Sequence, residues 1–450
     1  MLGFKFFYYR FCVVKLCIDK GIGRSWLFTS LRFIIKNQIS DKLNNMEEKM
    51  AKRKISMPYW CVENPVGDPF GPPVMDLISS IEATDILCNA KKEGLIDYTS
   101  AHDDDLVPWN PATPEDDLDT SSETYRTLSI IKEKLDKAGL EFVMSTCSLH
   151  GNPVFRNGGI TNPDPRIRLL AAKKVMRALR IGNFLGARYF TYWVARDGFE
   201  CQFAVPWGKN YEYLIDGLNL VTRYTEEEGL SIKNGTIETK PNEPRGEMYL
   251  PTVGHALALI SNLEKPDFWG VNPEVLQHEQ MTGLTGIGAV AFAASLGKLF
   301  FIHLGNQKPN QFDNDNPVTI GMDGLKEIVS ILYILEKLGW KGHIEFDNHI
   351  LRTDTAPGVK NKIELRKEFI KLNVEAYKLA EQKAEELAGD KELDKLRAEI
   401  WGSDEDITEI LKGGDPEKIS KAHVSYTEVN EKPIRIAQLD LYVNKKLFGM

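Results

Sequence analysis

The sequence has no excess of basic charge: 56 lysines and arginines face 64 aspartates and glutamates, a net charge of −8 over 450 residues. A protein that tracks phosphate backbones needs a basic face, so nucleic acid is excluded as a primary partner. The chain also lacks an uninterrupted run of about 20 apolar residues, the length that spans a bilayer, which argues against a membrane-spanning helix. Its six cysteines (Cys12, Cys17, Cys61, Cys88, Cys147 and Cys201) include no CxxC pair. A chain this long needs no disulfide staples, so reduced thiols in a cytoplasmic protein are expected. The Asn234–Gly235–Thr236 sequon adjoins a β-type run and is read as incidental.

Acidic residues are scarce at the start. From Met1 to Ser40, Lys5, Arg10, Lys15, Lys20, Arg24, Arg32 and Lys36 are opposed by Asp19 alone. Such a basic, acid-poor segment suits organelle targeting; the alternative is an upstream extension with initiation at Met46 or Met50. The extension is the preferred reading, and residues 1–50 are set aside from the fold.

Beyond Ala51 the chain alternates. Short β-type runs (Ile55–Trp60, Ile96–Ala101, Glu141–Thr146, Tyr189–Trp193, Ser231–Glu238, Trp269–Glu274, Leu299–His303 and His343–Asp347) are separated by helical stretches such as Ser122–Ala138, Pro165–Leu185, Tyr211–Glu228 and Asp323–Leu338. In the first of these helices, Tyr125, Leu128, Ile131 and Leu135 form one apolar stripe at helical spacing. Eight such units predict an α/β fold, a (β/α)₈ TIM barrel over residues 51–383. In these barrels polar side chains gather at the C-terminal ends of the strands. His102, Thr146, Trp193, Glu238, Glu274, His303 and Glu345 all fall at or near predicted strand ends, a placement that a doubly wound open sheet would not produce. Residues 384–450 turn charged and helical, which fits either a solvated appendage or an arm packed on another subunit.

The richest segment reads IETKPNEPRG, Ile237–Gly246. Glu238 and Lys240 lie two residues apart at a strand end, so both can face the barrel axis. A carboxylate beside an ammonium suits a metal ligand next to a group that polarises a substrate oxygen; a surface ion pair would explain the pair but not its position.

With GDPFG around Phe70, His102-Asp103-Asp104-Asp105, PVFRNGG, GVNPEV, HEQM, KLF and Arg352-Thr353 in order, the chain resembles the shorter, actinobacterial-type xylose isomerases from about Lys54 to the tail. The resemblance implies aldose–ketose isomerisation of D-xylose, with D-glucose as a secondary substrate, in a homotetramer using two divalent metals (Mg²⁺, Mn²⁺ or Co²⁺). It implies ring opening by His102 oriented by Asp105, and a sugar site walled by Trp60, Trp193 and Phe70, the last donated by a neighbouring subunit, with Thr146 in contact. It further implies one metal on Glu238, Glu274 and Glu345 and a second on Glu274, Asp313 and Asp315. Lys240 and the metals would stabilise developing charge during a C2-to-C1 hydride shift, while Asp315 helps to move a proton from O2 to O1.

Four positions depart from the family pattern. His303 stands where a metal-binding aspartate is expected, which should shift preference from Mg²⁺ toward Mn²⁺ or Co²⁺. Glu274 and His278 are one residue further apart than in the family, which leaves the position of the second metal's histidine in question. His150 replaces a pocket aromatic. In HIEFDNH, Glu345 takes an aspartate's place and Asp347 a lysine's; if the longer loop after this strand begins earlier, Asp347 becomes the ligand. A catalytically impaired homologue that binds sugar or metal, and a related metal-dependent sugar epimerase, are the alternatives.

Overall fold

The computed structural model describes residues 53–63, 74–112, 118–318, 325–356, 358–402 and 405–450. The N-terminal segment 1–50 and Phe70 therefore lie outside the described residues.

Eight parallel strands are laid down in chain order: β1 (Lys54–Ser56), β2 (Tyr98–His102), β3 (Glu141–Thr146), β4 (Tyr189–Trp193), β5 (Asn234–Glu238), β6 (Trp269–Val271), β7 (Phe301–Leu304) and β8 (His343–Phe346). The hydrogen-bonded order runs β6-β5-β4-β3-β2-β1-β8-β7 and ends on the short segment Glu274–Val275. That segment continues β6 beyond Asn272–Pro273, so both ends of the sheet belong to one run of chain. The Val271–Leu299 bridge joins β6 to the start of β7 and closes the ring. The result is the TIM barrel expected from the alternation.

Local chemistry sets the element ends. Ser122 caps the helix Glu123–Ala138 by accepting from Tyr125 N, and Gly139 ends it at φ 64°, a conformation that costs glycine little. Leu128, Ile131 and Leu135 are buried on its inner face, as the stripe requires. Asp164 caps Pro165–Leu185 with proline in its first turn. Six strands are shorter than expected, two of them broken at proline. β1 stops at Ser56 because Pro58 has no N–H for the ladder, and the chain turns into the helix Tyr59–Glu63, which carries Trp60. Pro273 likewise interrupts the run from Trp269 to Glu274. The sequon lies within β5, with Thr236 fully buried.

Inside the barrel an aromatic layer forms the lower plug. The His343 ring sits 4.9 Å from Tyr98, 5.3 Å from Tyr189 and 5.5 Å from Phe301. Burial pushes its pKa down to about 4, so it is neutral here. Above it the register places Ser56 and His303 opposite Glu345, and Glu274 opposite His303. His303 and Glu274 form the floor of a cavity at the strands' C-terminal ends, with Ser56 and Glu345 buried beneath them.

The chain beyond the barrel is helical. Lys362–Ala388 is a 27-residue helix, followed by Lys391–Trp401 and four short helices from Glu405 to Leu447. None of those four has a buried residue. No helix among the described residues is long and apolar enough to cross a membrane. Cys61, Cys88 and Cys147 are buried free thiols, and Cys201 is an exposed one.

Candidate active site

A cavity of about 260 Å³ opens at the C-terminal mouth. Trp60, His102, Asp105, Thr146, His150, Trp193, Glu238, Lys240, Glu274, His278, His303, Asp313, Asp315 and Asp347 all line it. The fold thus gathers almost the whole set picked from the sequence. Among the described residues Glu345 is the exception: it lies beneath the floor, fully buried. Its Oε2 accepts from the Ser56 hydroxyl and from Ser100 Oγ at 2.6 Å, and its Oε1 lies 3.0 Å from His303 Nε2.

Three groups in the cavity bring ligand atoms within 4.8 Å of one another: Glu238–His303–Asp347, Glu238–Glu274–His278 and Glu274–Asp313–Asp315. Asp347, not Glu345, enters the first group. The alternation of a strand puts both carboxylates on one face, but Glu345 stands level with Ser56 and His303, whereas Asp347 lies past the end of β8. His303 Nδ1 is 3.2 Å from Glu238 Oε2 and 3.1 Å from Asp347 Oδ2. The longer spacing from Glu274 to His278 is absorbed at Leu276, which adopts φ 63°. His278 accordingly points inward: Nδ1 pairs with the Thr239 carbonyl at 3.0 Å, and Nε2 lies 2.7 Å from Glu274 Oε2 and 3.1 Å from Asp313 Oδ2.

The donor set fits divalent cations. His303 Nδ1, Glu274 Oε1 and Asp313 Oδ1 are buried without a hydrogen-bond partner, and each belongs to a residue of one of these groups. Buried polar atoms are normally paired, and a cation would satisfy all three. Without one, the proton is the available positive charge. Burial lowers the His278 pKa, but Glu274 and Asp313 outweigh it and carry it up to about 10. His303 is likewise held well above its ordinary value, because Glu238, Asp347 and Glu345 outweigh burial. Burial pushes Glu274 up to about 8, with His278 opposing. The mixed oxygen and nitrogen donors suit Mn²⁺ or Co²⁺ as well as Mg²⁺.

Lys240 and Asp313 stand beside these groups. Lys240 Nζ is 2.7 Å from Asp313 Oδ2 and lies over the Trp193 ring. Burial disfavours the ammonium, but the carboxylates around it raise its pKa, so it stays charged. Asp315, at φ 44°, is gripped at both ends: Gln277 Nε2 donates to its Oδ1 at 3.0 Å and the His349 N–H donates to its carbonyl at 2.8 Å.

The other flank is an acid/base pair between aromatic walls. His102 Nδ1 is 3.0 Å from Asp105 Oδ2, which also accepts the His102 backbone N–H at 2.7 Å. Burial would lower the His102 pKa, but Asp105 outweighs it and the net shift is upward. The Trp60 ring packs 4.7 Å from His102, and its Nε1 donates to Asp347 Oδ1 at 2.7 Å. His150 packs edge-on at 4.9 Å from Trp193, and burial lowers its pKa to about 3. Thr146 Oγ1 and Trp193 Nε1 are buried without partners, so both can serve a ligand hydroxyl.

Beneath this pair, Asp103 is locked by Lys174 Nζ at 2.6 Å, by Arg177 Nη1 at 2.5 Å and by the Ser148 N–H at 3.0 Å, all buried. Two cavity-lining residues, and one buried behind them, escaped the sequence reading. Glu63, pushed up to about 10 by burial and then by Asp105, and His349 both line the cavity; Gln277 reaches it through Asp315. Glu63 sits three residues after Trp60, and Gln277 and His349 each lie within two residues of a residue already singled out. Proximity was the only signal available.

Fold and site together define a TIM-barrel protein with a carboxylate- and imidazole-rich pocket at the strands' C-terminal ends. The xylose isomerase-like TIM barrel family matches residues 105–367. The chain is 32% identical over 356 residues to a xylose isomerase of Thermus thermophilus, covering 79% of this chain and 86% of that one. It is 31% identical over 408 residues to a xylose isomerase of Thermus caldophilus, covering 90% and 100%. Solved structures of an L-ribulose 3-epimerase (TM-score 0.52, 14% identity, 75% of this chain and 99% of that one) and of a Methylomonas D-allulose 3-epimerase (0.50, 14%, 73% and 98%) share the fold. The chain belongs to the xylose isomerase-like TIM-barrel family.

Proposed function

We propose that this protein is a xylose isomerase, interconverting D-xylose and D-xylulose, with D-glucose to D-fructose as a secondary activity. The observation that carries the reading is the charged Lys240 in one cavity with three metal-capable groups and the His102–Asp105 pair. The curated relatives, named xylose isomerase, support the same substrate.

Glu238, His303 and Asp347 would hold one divalent ion, and Glu274, Asp313 and Asp315, with His278 alongside, a second. When bound, such ions supply Lewis acidity that polarises the sugar's carbonyl and hydroxyl oxygens. His102, with Nδ1 committed to Asp105, presents Nε2 to take the proton of the anomeric hydroxyl and deliver it to the ring oxygen as the C1–O5 bond breaks. Trp60 and Trp193 cover the C–H faces of the sugar and exclude water, while Thr146 Oγ1 and Trp193 Nε1 are placed for its hydroxyls. The isomerisation moves a hydride from C2 to C1 and a proton from O2 to O1. Asp315 is the carboxylate assigned to that proton. Lys240 faces the oxygen that gains negative charge, and its buried position makes that interaction stronger than it would be in water.

The helices after Ala384, with no buried residue from Glu405 onward, are assigned to contacts between subunits of a cytoplasmic homotetramer. Titrating metal-free protein with Mg²⁺, Mn²⁺ and Co²⁺ while following xylulose tests the function. Turnover with at least one of the three is expected; none with any of them, in folded protein, refutes it.

A further inference from the structure

Glu345 is a buried carboxylate that does not itself line the cavity, yet it is hydrogen-bonded to His303, which does, and to Ser56 and Ser100. Ser56 and Ser100 hydroxyls both donate to Oε2, which leaves Oε1 as the acceptor for His303 Nε2 at 3.0 Å. An ionised carboxylate can only accept, so Nε2 of the ring must carry the hydrogen. Once a cation takes the place of the ring's second proton, this one hydrogen leaves the lone pair on Nδ1. Nδ1 is the buried atom without a hydrogen-bond partner, 3.2 Å from Glu238 Oε2 and 3.1 Å from Asp347 Oδ2. An anchored carboxylate, an imidazole and two carboxylates around the free nitrogen reproduce the arrangement by which proteins orient a histidine ligand.

We propose that Glu345 is a positioning residue: it fixes His303 with Nδ1 toward the ion held by Glu238 and Asp347, and so sets that site's preference for Mn²⁺ or Co²⁺ over Mg²⁺. The proposal rests on reading Glu238, His303 and Asp347 as a metal site. Without Glu345 the ring can flip or change tautomer, and the site falls back on two carboxylates, a shell that discriminates less against Mg²⁺.

The test reads metal binding alone, by calorimetric titration of chelator-stripped full-length protein with Co²⁺ and Mg²⁺ in the absence of sugar. Wild type is expected to bind Co²⁺ more tightly than Mg²⁺. Glu345→Gln should weaken Co²⁺ by roughly 10- to 100-fold, and Mg²⁺ by clearly less. In a His303→Asp background the same substitution should change Co²⁺ affinity by no more than about twofold, since the residue it acts through is gone. Ser100→Ala, a milder change that removes one anchor from Oε2, should weaken Co²⁺ in the same direction even if Glu345→Gln does not fold. Co²⁺ affinity of Glu345→Gln or, failing that, of Ser100→Ala equal to wild type overturns the proposal, as does an undiminished loss in the His303→Asp background. Failure of the Co²⁺-loaded wild type to turn over sugar would refute the isomerase reading while leaving this result standing. Failure of wild type to bind either ion would refute both.

Discussion

Lys240 Nζ and Asp313 Oδ2 stand 2.7 Å apart in a nearly buried pair, and the same oxygen is 3.1 Å from His278 Nε2. Burial alone would raise the Asp313 pKa, but Lys240 and His278 reverse that and hold it well below the ordinary carboxylate range. The ammonium thus keeps Asp313 ionised and itself lines the cavity. Lys240→Met should lower kcat on xylose by roughly 10²- to 10³-fold, the size expected when one buried electrostatic contact to a charged transition state is lost. Steady-state kinetics at saturating Mn²⁺ check this; a loss confined to KM would mean that Lys240 binds substrate without acting on the chemistry.

Metal removal should be visible in stability. The buried atoms His303 Nδ1, Glu274 Oε1 and Asp313 Oδ1 have no hydrogen-bond partner, and bound cations would supply one. A cation at 100 times its Kd stabilises the folded state by about 2.7 kcal/mol per site. Chelator-treated protein should therefore melt earlier, with Tm restored by Mn²⁺; an unchanged Tm would contradict binding at these groups.

Much of the fold and site was legible in the sequence, and the gaps have physical reasons. β3, β4 and the helix Pro165–Leu185 fall at their expected bounds because turn and cap residues sit at their ends. The break after Ser56 turned on Pro58, a residue inside an otherwise strand-like run. At the site, two-residue alternation correctly put Glu345 and Asp347 on one face, but alternation says nothing about depth. Depth is set by the register of β8 against β1 and β7, which no local pattern encodes. Likewise the spacing of His278 could not reveal that a left-handed Leu276 would absorb the extra residue.

Gln277 donates to Asp315 Oδ1 at 3.0 Å, and Asp315 is held in a conformation uncommon for a residue with a side chain. Gln277→Ala should weaken one of two bound Mn²⁺ ions by roughly 10- to 100-fold and leave the other nearly unchanged. Equilibrium dialysis with metal counting would show it; equal loss at both sites, or at neither, would place Gln277 outside this role.

The acid side of the stability profile should carry a signature of His150, whose pKa falls from an ordinary 6.5 to about 3, first through burial and then through His102. The unfolded chain takes up the proton first, so stability is full above pH 6.5 and is lost as pH falls toward 3. The slope from this group is at most about 1.4 kcal/mol per pH unit. His150→Phe should flatten the decline over that window in denaturant titrations, relative to wild type; parallel curves would mean that the histidine is not neutral in the fold.

The most direct measurement tracks the hydrogen at C2. D-Xylose deuterated at C2 is incubated with the Mn²⁺- or Co²⁺-loaded enzyme in ordinary water, and the product is read by NMR. A hydride shift beside Lys240 and the clustered carboxylates predicts D-xylulose with the deuterium at C1. Loss of the label to solvent would contradict it and point to proton transfer through an enediol, the chemistry of an epimerase-type site.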